Sequence, residues 1–210
     1  MKAQFFWGKV SDNQDPDKQH RVLVSIRGNE NESSEWIPVI TPYAGTEAGV
    51  YLLPNVDDQV AVISLDNACK DKFVLGAIWD DNAAPPETEE NTEADLNQDG
   101  KNTLHFFKGK NGAMLILDDT EKSEKLQLIS ADPKTRLEFS EADKLITLNS
   151  EKDLSLNAKE LLSFKAKEIE IKASKKITCK NKDLQIKADQ KINIKAGQNI
   201  CAKGSDIALN

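Results

Sequence analysis

The sequence predicts an all-β protein with a small antiparallel barrel at its N-terminal end and a rod, built from several copies of the chain, at its C-terminal end. Two patterns support this prediction. Residues 5–80 are short apolar runs separated by turn-rich stretches, as is typical of a small barrel. From residue 146 onward, apolar pairs of the form Ile-x-Ile recur about every eight residues, which indicates a solenoid-like repeat.

The barrel prediction depends on five or so strands within the first 80 residues. Their sequences are FFWGKVSDN, RVLVSI, SEWIPVITPY, GVYLLP, DQVAVISL and KFVLGAIW. Pro38, Pro42 and Pro54 lie beside these runs, where a missing N–H is tolerated. The stretch that follows has almost no large apolar residue. We therefore predict a barrel domain over 1–80, an acidic linker over 81–103 and a rod over 104–210.

The spacing in the rod favours strands, although Lys, Glu, Ala and Leu are good helix formers. Residues two apart point about 200° away from each other on a helix, so Ile169 and Ile171 would lie on opposite faces. On a strand the two side chains share one face, and Glu170 between them points away. The same holds for each later pair.

Nine pairs follow one another at steps of seven or eight residues, beginning with Ile146 and Leu148. Eight residues are too few for one chain to close an apolar interior at each turn. Several chains can close it, and a trimer is the simplest arrangement, which also covers strand edges. The predicted trimer core is Leu154, Leu156, Leu162, Phe164, Ile169, Ile171, Ile177, Cys179, Leu184, Ile186, Ile192 and Ile194.

Charge and cysteine usage restrict the classes of function. Residues 150–210 carry thirteen lysines and eight acidic residues, a balance of +5, within a chain of net charge -7. No signal-peptide or membrane-spanning run is evident, so we expect synthesis as a soluble cytoplasmic protein. Cys69, Cys179 and Cys201 have no metal-type spacing and are expected to be reduced, small apolar side chains.

Four motifs follow one another in the first domain. They are V-x-D-x-x-D-P-D (Val10, Asp12, Asp15, Pro16, Asp17), a middle with Trp36, Pro42, Gly45 and Gly49, P-x-V-x-D-x-V (Pro54, Val56, Asp58, Val60), and L-G-x-x-W before P-P (Leu75, Gly76, Trp79, Pro85, Pro86). In this order they resemble the OB-fold domain of contractile-tail spike proteins, the family of phage baseplate assembly protein V and the spike portion of VgrG proteins. The resemblance also extends to NGAMLILDDTEKSEKLQLIS, which is similar to the first turns of the family's β-helix.

The resemblance implies an N-terminal OB-fold barrel followed by an intertwined, triple-stranded β-helix in a homotrimer. It implies a structural, membrane-piercing central spike of a contractile injection system (a phage tail, a tailocin or a related secretion machine), with no enzymatic activity and no cofactor. Such a spike assembles in the cytoplasm and acts transiently at the target cell envelope.

Departures from the family pattern bear on the expected partners. No hub domain precedes the barrel and no lysozyme-like insert follows it, so a separate hub protein is expected. The histidines, His20 and His105, lie far from the C-terminal end, which argues against a histidine-bound metal at the tip. A PAAR-type tip protein is expected instead. The residues predicted to dock it are Ile200, Ala202, Ile207, Leu209 and Asn210.

Other interpretations remain open at this stage. The main alternative is an OB-fold binding module for nucleic acid or carbohydrate with an oligomerising stalk, and a degraded enzyme is a third. A basic groove with stacking aromatics is not evident, so nucleic acid is not an expected partner. DLNQDGKNTLHF resembles the start of a calcium loop but has Phe106 where the glutamate should stand. The lysines that follow the pairs are either a solvated face or an attraction to an anionic membrane.

Overall fold

A computed structural model of the chain describes residues 3–28, 33–65, 71–81, 83–86 and 101–207. All regular secondary structure in these ranges is β, in twelve strands. Nothing in them forms a helix that could cross a membrane. The chain divides into two compact units, Met1–Leu154 and Ser155–Asn210.

The first part of unit 1 is a five-stranded barrel of OB type. Its strands stand in the order β3-β2-β1-β6-β7, and all neighbours are antiparallel. A parallel bridge between Val39 and Val74 brings β3 against β7 and closes the sheet, as a small Greek-key barrel requires. The strands are β1 (Gln4–Asp12), β2 (Arg21–Ile26), β3 (Ile37–Pro38), β6 (Gln59–Ser64) and β7 (Lys72–Ala77), with a small hairpin, β4 (Ala44–Gly45) and β5 (Ala48–Gly49), between β3 and β6.

Valine dominates the barrel core. The inward side chains of β2 and β6 are fully buried, and β-branched residues fit the pleated surface of a sheet. The buried cluster comprises Val10, Val22, Val24, Ile37, Val39, Val60, Val62 and Val74, with Phe6, Ile26 and Leu53 packed against it. One chain therefore encloses this apolar core by itself.

Gly8 permits the close approach of β1 and β2. A Cβ at this position would lie 2.4 Å from Val24 Cγ1 and 2.9 Å from the Ser25 carbonyl oxygen. No side chain fits there unless the strands move apart.

The V-x-D-x-x-D-P-D motif builds the β1–β2 loop. The Asp15 carboxylate accepts hydrogen bonds from Arg21 Nε (2.9 Å) and Nη2 (2.6 Å), and from the backbone N–H groups of Gln19 and Asp17. The Arg21 hydrogen bond, aided by these backbone donors, holds the pKa of Asp15 far below its usual value. Asp15 is 5% exposed, whereas Asp17, which also accepts from Arg21 Nη2, is 63% exposed.

The P-x-V-x-D-x-V and L-G-x-x-W motifs also have structural roles. Asp58 Oδ2 accepts the Asn55 N–H at 2.7 Å, and backbone bonds tie Asp57 and Asp58 to Val10. In β7 the register with β6 shifts so that Leu75 is the extra residue of a β-bulge. These motifs therefore shape the barrel and carry no chemistry of their own.

The second part of unit 1 is an antiparallel meander of five strands, β8 (Leu104–Lys108), β9 (Met114–Asp118), β10 (Lys125–Ile129), β11 (Arg136–Ser140) and β12 (Leu145–Asn149). Connections of four to six residues are long enough for each strand to pair with the previous one in the same chain. The first predicted pair of the rod, Ile146 and Leu148, therefore lies in β12 and pairs with β11.

Unit 2 contains no strand pairing within its described residues, 155–207, all of which are exposed. It has a regular bend pattern instead. The chain bends at 151–152, 159–160, 167, 174–175, 182, 189–190, 197–198 and 205. The first apolar residue of each of the eight pairs from Leu154 to Ile207 follows a bend by two residues. One chain thus repeats a single local conformation. The predicted β-helix and trimer concern several chains and remain predictions.

The packing at Gly8 gives a first testable prediction. We expect Gly8→Ala to lower the free energy of unfolding by about 1–3 kcal/mol, because the added methyl overpacks the β1–β2 contact. Gly76→Ala is the matched control, since its Cβ would meet nothing within 4 Å. Denaturant unfolding followed by circular dichroism measures both variants. Equal stabilities would contradict the assigned contact.

The Asp15–Arg21 contact gives a second prediction. Asp15→Asn should lower the Tm at pH 7, because the amide cannot offer two oxygens to the guanidinium. The folded pKa is depressed, so the stabilisation is complete above the unfolded pKa of about 4 and declines as the pH falls below it. The Tm difference should therefore shrink in acid. Asp17→Asn changes the exposed carboxylate and should lower the Tm less than Asp15→Asn does. A larger loss of Tm in Asp17→Asn would contradict the assignment of Asp15 as the main partner of Arg21.

Candidate assembly interface

Two rows of apolar side chains cover one face of the meander sheet, which we call the ladder face. The strand register places residues of both rows directly opposite one another across all five strands. The first row is Phe107, Leu115, Leu128, Leu137 and Leu148. The second row is His105, Leu117, Leu126, Phe139 and Ile146.

The ladder face is exposed to solvent in a single chain. Phe107 is 62% exposed and Ile146 is 65% exposed, and only Leu115 and Leu137 are partly covered. A groove of about 650 Å³ runs over Leu115, Leu128 and Leu137. An apolar surface of this extent on a soluble sheet is typical of an interaction site.

The opposite face holds the buried and the polar positions of the sheet. Ile116, Ile129 and Leu104 are buried there, beside buried Gln127, whose Nε2 donates to Glu138 Oε2 at 2.7 Å. An antiparallel sheet with one wet face normally exposes its polar side. Here the exposed ladder face is apolar instead.

The residues predicted as trimer core are all exposed in one chain. Each of the twelve from Leu154 to Ile194, including Cys179, is exposed. Ile192 is 51% exposed and Ile171 is 73% exposed. The chain does not pack these residues against one another, which leaves a periodic apolar surface without a partner.

Three of the five predicted tip residues lie among the described residues, and the other two lie outside them. Ile200, Ala202 and Ile207 are exposed and continue the repeat. Leu209 and Asn210 lie outside the described residues, as do Cys69 and the calcium-like stretch from Asp95 to Gly100.

Sequence reasoning missed the ladder face as a unit, although its signal was present. The same apolar-x-apolar pattern occurs at Leu115/Leu117, Leu126/Leu128 and Leu137/Phe139, before Ile146/Leu148. The spacing there is eleven, eleven and nine residues, because hairpin connections separate these pairs. The longer period hides them from a search for an eight-residue repeat.

A small residue at the end of each repeat also escaped attention. Two positions after the second apolar residue stand Ala158, Ala166, Ala173, Asn181, Ala188, Ala196 and Gly204. On a strand this position shares the face of the apolar pair. The bend that follows lies immediately beyond it in every repeat, so alanine or glycine, or Asn181 in one repeat, precedes each bend.

The barrel carries a second exposed apolar surface on the outside of β1, β6 and β7. Phe5 pairs with Ile63, and Ile63 pairs with Phe73, across these strands. Phe5 is 70% exposed, and Trp7 on the same face of β1 is also exposed. We call this surface the aromatic row.

Within the part of the chain that the structure describes, the titratable side chains do not form a recognisable reaction centre. His20 lies against Tyr51 with ring centroids 4.7 Å apart, and among the described residues neither of its buried ring nitrogens has a hydrogen-bond partner. His105 Nε2 lies 3.9 Å from Asp119 Oδ2 at an exposed position. The described ranges contain no cluster of three or more His, Cys, Asp or Glu side chains suited to a metal ion.

Comparison with known proteins agrees with the barrel geometry. Residues 6–79 match the family model of the type VI secretion system/phage-baseplate injector OB domain. No curated protein matches the chain. The matched range runs from within β1 to just beyond β7, and the family is one of structural baseplate domains. The N-terminal barrel of this chain is therefore similar to the baseplate injector OB domain.

Proposed function

We propose that this protein is the central spike of a contractile injection system and acts as a homotrimer that pierces a target membrane. The observation that carries the proposal is the combination of a baseplate injector OB domain with a long apolar surface that one chain leaves exposed. The protein transmits force and needs no active site or cofactor.

Trimer formation is supported by the number and register of the exposed apolar residues. Burying one isoleucine or leucine side chain is worth roughly 1.5–3 kcal/mol, and the first residues of the eight pairs from Leu154 onward stand at equivalent positions after a bend. Three copies that face one axis would remove these side chains from water together. The strands of each copy would also find hydrogen-bond partners in the others, since unit 2 lacks strand pairing of its own within the described residues.

The ladder face is a second exposed apolar surface that a trimer would cover, between the barrel and the repeats in the sequence. Its last strand carries Ile146 and Leu148, the pair that precedes Leu154 and Leu156 in the repeat. Along the sequence, the apolar surface therefore passes from the sheet into the rod without interruption. We propose that three ladder faces form the wide base of the spike and that the repeats form its shaft.

Seating on a separate hub protein is supported by the aromatic row. Phe5 and Trp7 are exposed on a barrel whose own core is complete, and exposed aromatic side chains are enriched at the centres of protein interfaces. We propose that this surface faces the hub. The last repeats, with Ile200, Ala202, Ile207, Leu209 and Asn210, would hold a PAAR-type tip protein.

The spike would assemble into its baseplate in the cytoplasm of the producing cell and would meet the envelope of the target cell when the sheath contracts. Electron microscopy of purified particles, with this protein labelled at its N-terminus, tests the placement. The label should appear at the centre of the baseplate. A peripheral label, or particles without the protein, would remove the spike role.

The alternative OB-fold binding module keeps one supporting observation, the apolar stalk, because an oligomerising stalk would also expose it in one chain. The two proposals differ in their consequences. A binding module requires that the barrel retains a ligand when purified, whereas a spike requires only that the barrel binds its hub.

The trimer is tested by paired substitutions at neighbouring positions. Ile194→Asp should prevent or weaken assembly, because it would place three carboxylates in an apolar interior. Asn193→Asp introduces the same charge at the adjacent, outward position and should remain trimeric. Size-exclusion chromatography with light scattering reports the molar mass. A wild-type chain that is folded and monomeric would end the trimer proposal.

The tip is tested by Ile207→Asp combined with Leu209→Asp. The earlier repeats still hold the shaft together, so the molar mass of the trimer should not change. Attachment of the tip protein should be lost, and with it delivery or killing by the machine. Mass spectrometry of purified particles measures the tip protein. Full occupancy in the double variant would contradict the docking role.

A further inference from the structure

One outward position of the repeat carries lysine and nothing else over six consecutive repeats. The position follows the second apolar residue of each pair, and we call this set the lysine column. Asn157 occupies the same position in the repeat before it. The column comprises Lys165, Lys172, Lys180, Lys187, Lys195 and Lys203.

A second outward position of the same strands serves as an internal comparison. The residue before the first apolar residue of each pair lies on the same outward face, but its charge changes sign along the chain. From the first repeat of unit 2 onward it is Asp153, Leu161, Glu168, Lys176, Asp183, Lys191, Asn199 and Asp206. Mixed charge is sufficient for solubility, and opposite charges on adjacent strands attract.

The lysine column has no opposite charges on adjacent strands. Adjacent strands of a sheet lie about 4.8 Å apart, so stacked lysines repel one another in the assembled shaft. Solubility alone does not explain six like charges at one register position, because the neighbouring position achieves it with both signs. The column therefore provides a continuous line of positive charge at some cost in stability.

The structure leaves these ammonium groups available. All six lysines are exposed in one chain, as is every described residue of 155–207, and their position between the inward pairs keeps them on the outer face of the proposed trimer. Lys172 Nζ lies 2.9 Å from Glu170 Oε1, on the same outward face, and the other five make no ion pair within the described residues. Residues 155–207 hold twelve lysines and six acidic residues, a balance of +6, whereas the whole chain is at -7.

The composition of the segment identifies the kind of anion. Its cations are all lysine, without arginine, and its aromatic content is Phe164 alone, at an inward position. Single-strand nucleic-acid sites use stacking aromatics, and arginine provides the bidentate contacts that recognise planar or ordered phosphates. Lysine is a point charge on a flexible stem, which suits the diffuse negative potential of a lipid surface.

We propose that the lysine column binds the phosphate headgroups of an anionic membrane along the side of the shaft. This inference rests on the proposed trimeric spike, in which each of the three outer faces presents one column. As the shaft enters the envelope, headgroups replace water and counterions around successive lysines. The contact is electrostatic and reversible, so it retains the shaft in the membrane without anchoring it.

The test uses the full-length trimer and vesicles of defined composition. Co-sedimentation compares vesicles of phosphatidylcholine with vesicles that contain about 30% phosphatidylglycerol, in about 0.05 M and about 0.5 M NaCl. We expect binding to the anionic vesicles at low salt, with at least a tenfold loss of affinity at high salt. Absence of binding at low salt would overturn the proposal while leaving the spike role intact.

A charge-matched pair of variants tests the column itself. The first carries Lys→Gln at Lys165, Lys180, Lys187 and Lys195, and the second carries Lys→Gln at Lys159, Lys167, Lys176 and Lys191. Both lose four positive charges per chain. We expect the first to lose at least tenfold in vesicle affinity and the second less than threefold. Equal losses would show that net charge alone acts and would overturn the column.

Two further readouts separate this proposal from the others. Light scattering must give the same molar mass for the wild type and both variants, and a wild-type monomer would contradict the trimer before any lipid is added. A DNA duplex or single strand that binds the wild type as tightly as the anionic vesicles, with the same loss in the column variant, would overturn the membrane assignment in favour of nucleic acid.

Discussion

Apolar side chains that one chain cannot bury are the constraint on which the rest of this protein depends. In unit 2 the isoleucine and leucine pairs stay exposed because each repeat is only seven or eight residues long. A strand pair plus the turn that joins it has no room to cover its own apolar face within that length. The chain therefore has regular bends but no strand pairing across residues 155–207.

The barrel, in contrast, buries its core apolar side chains within a single chain. Its five strands close on themselves through the contact between Val39 and Val74, and the valine core is complete. Gly8 lets the two neighbouring strands approach, and the Asp15 carboxylate fixes the loop between them. In the proposed spike, such a barrel would hold its position in the particle while the shaft would gain rigidity only on assembly.

The meander between them combines both behaviours. Its strands pair within the chain, yet the ladder face is exposed and the opposite face holds the buried residues, both apolar and polar. Connections of four to six residues allow the hairpins, and the apolar-x-apolar pattern is kept throughout. The strands of the meander thus pair because their connections are long enough, whereas the shorter repeats of unit 2 remain unpaired. The apolar-x-apolar pattern is the same in both parts.

The sequence by itself determined the class of the fold, the barrel and the repeat. Alternation of apolar and polar residues is a local property, so the strands of the barrel and the phase of the pairs from Leu154 to Ile207 could be read directly. The acidic motif around Asp15 was recognised from the order of its residues, although its structural role was not. Which residues lie close in space depends on strand register, which local sequence specifies weakly. Only the tertiary structure therefore decided that Val39 meets Val74 to close the barrel, that Leu75 bulges from β7, and that ten side chains from five strands align as one exposed face.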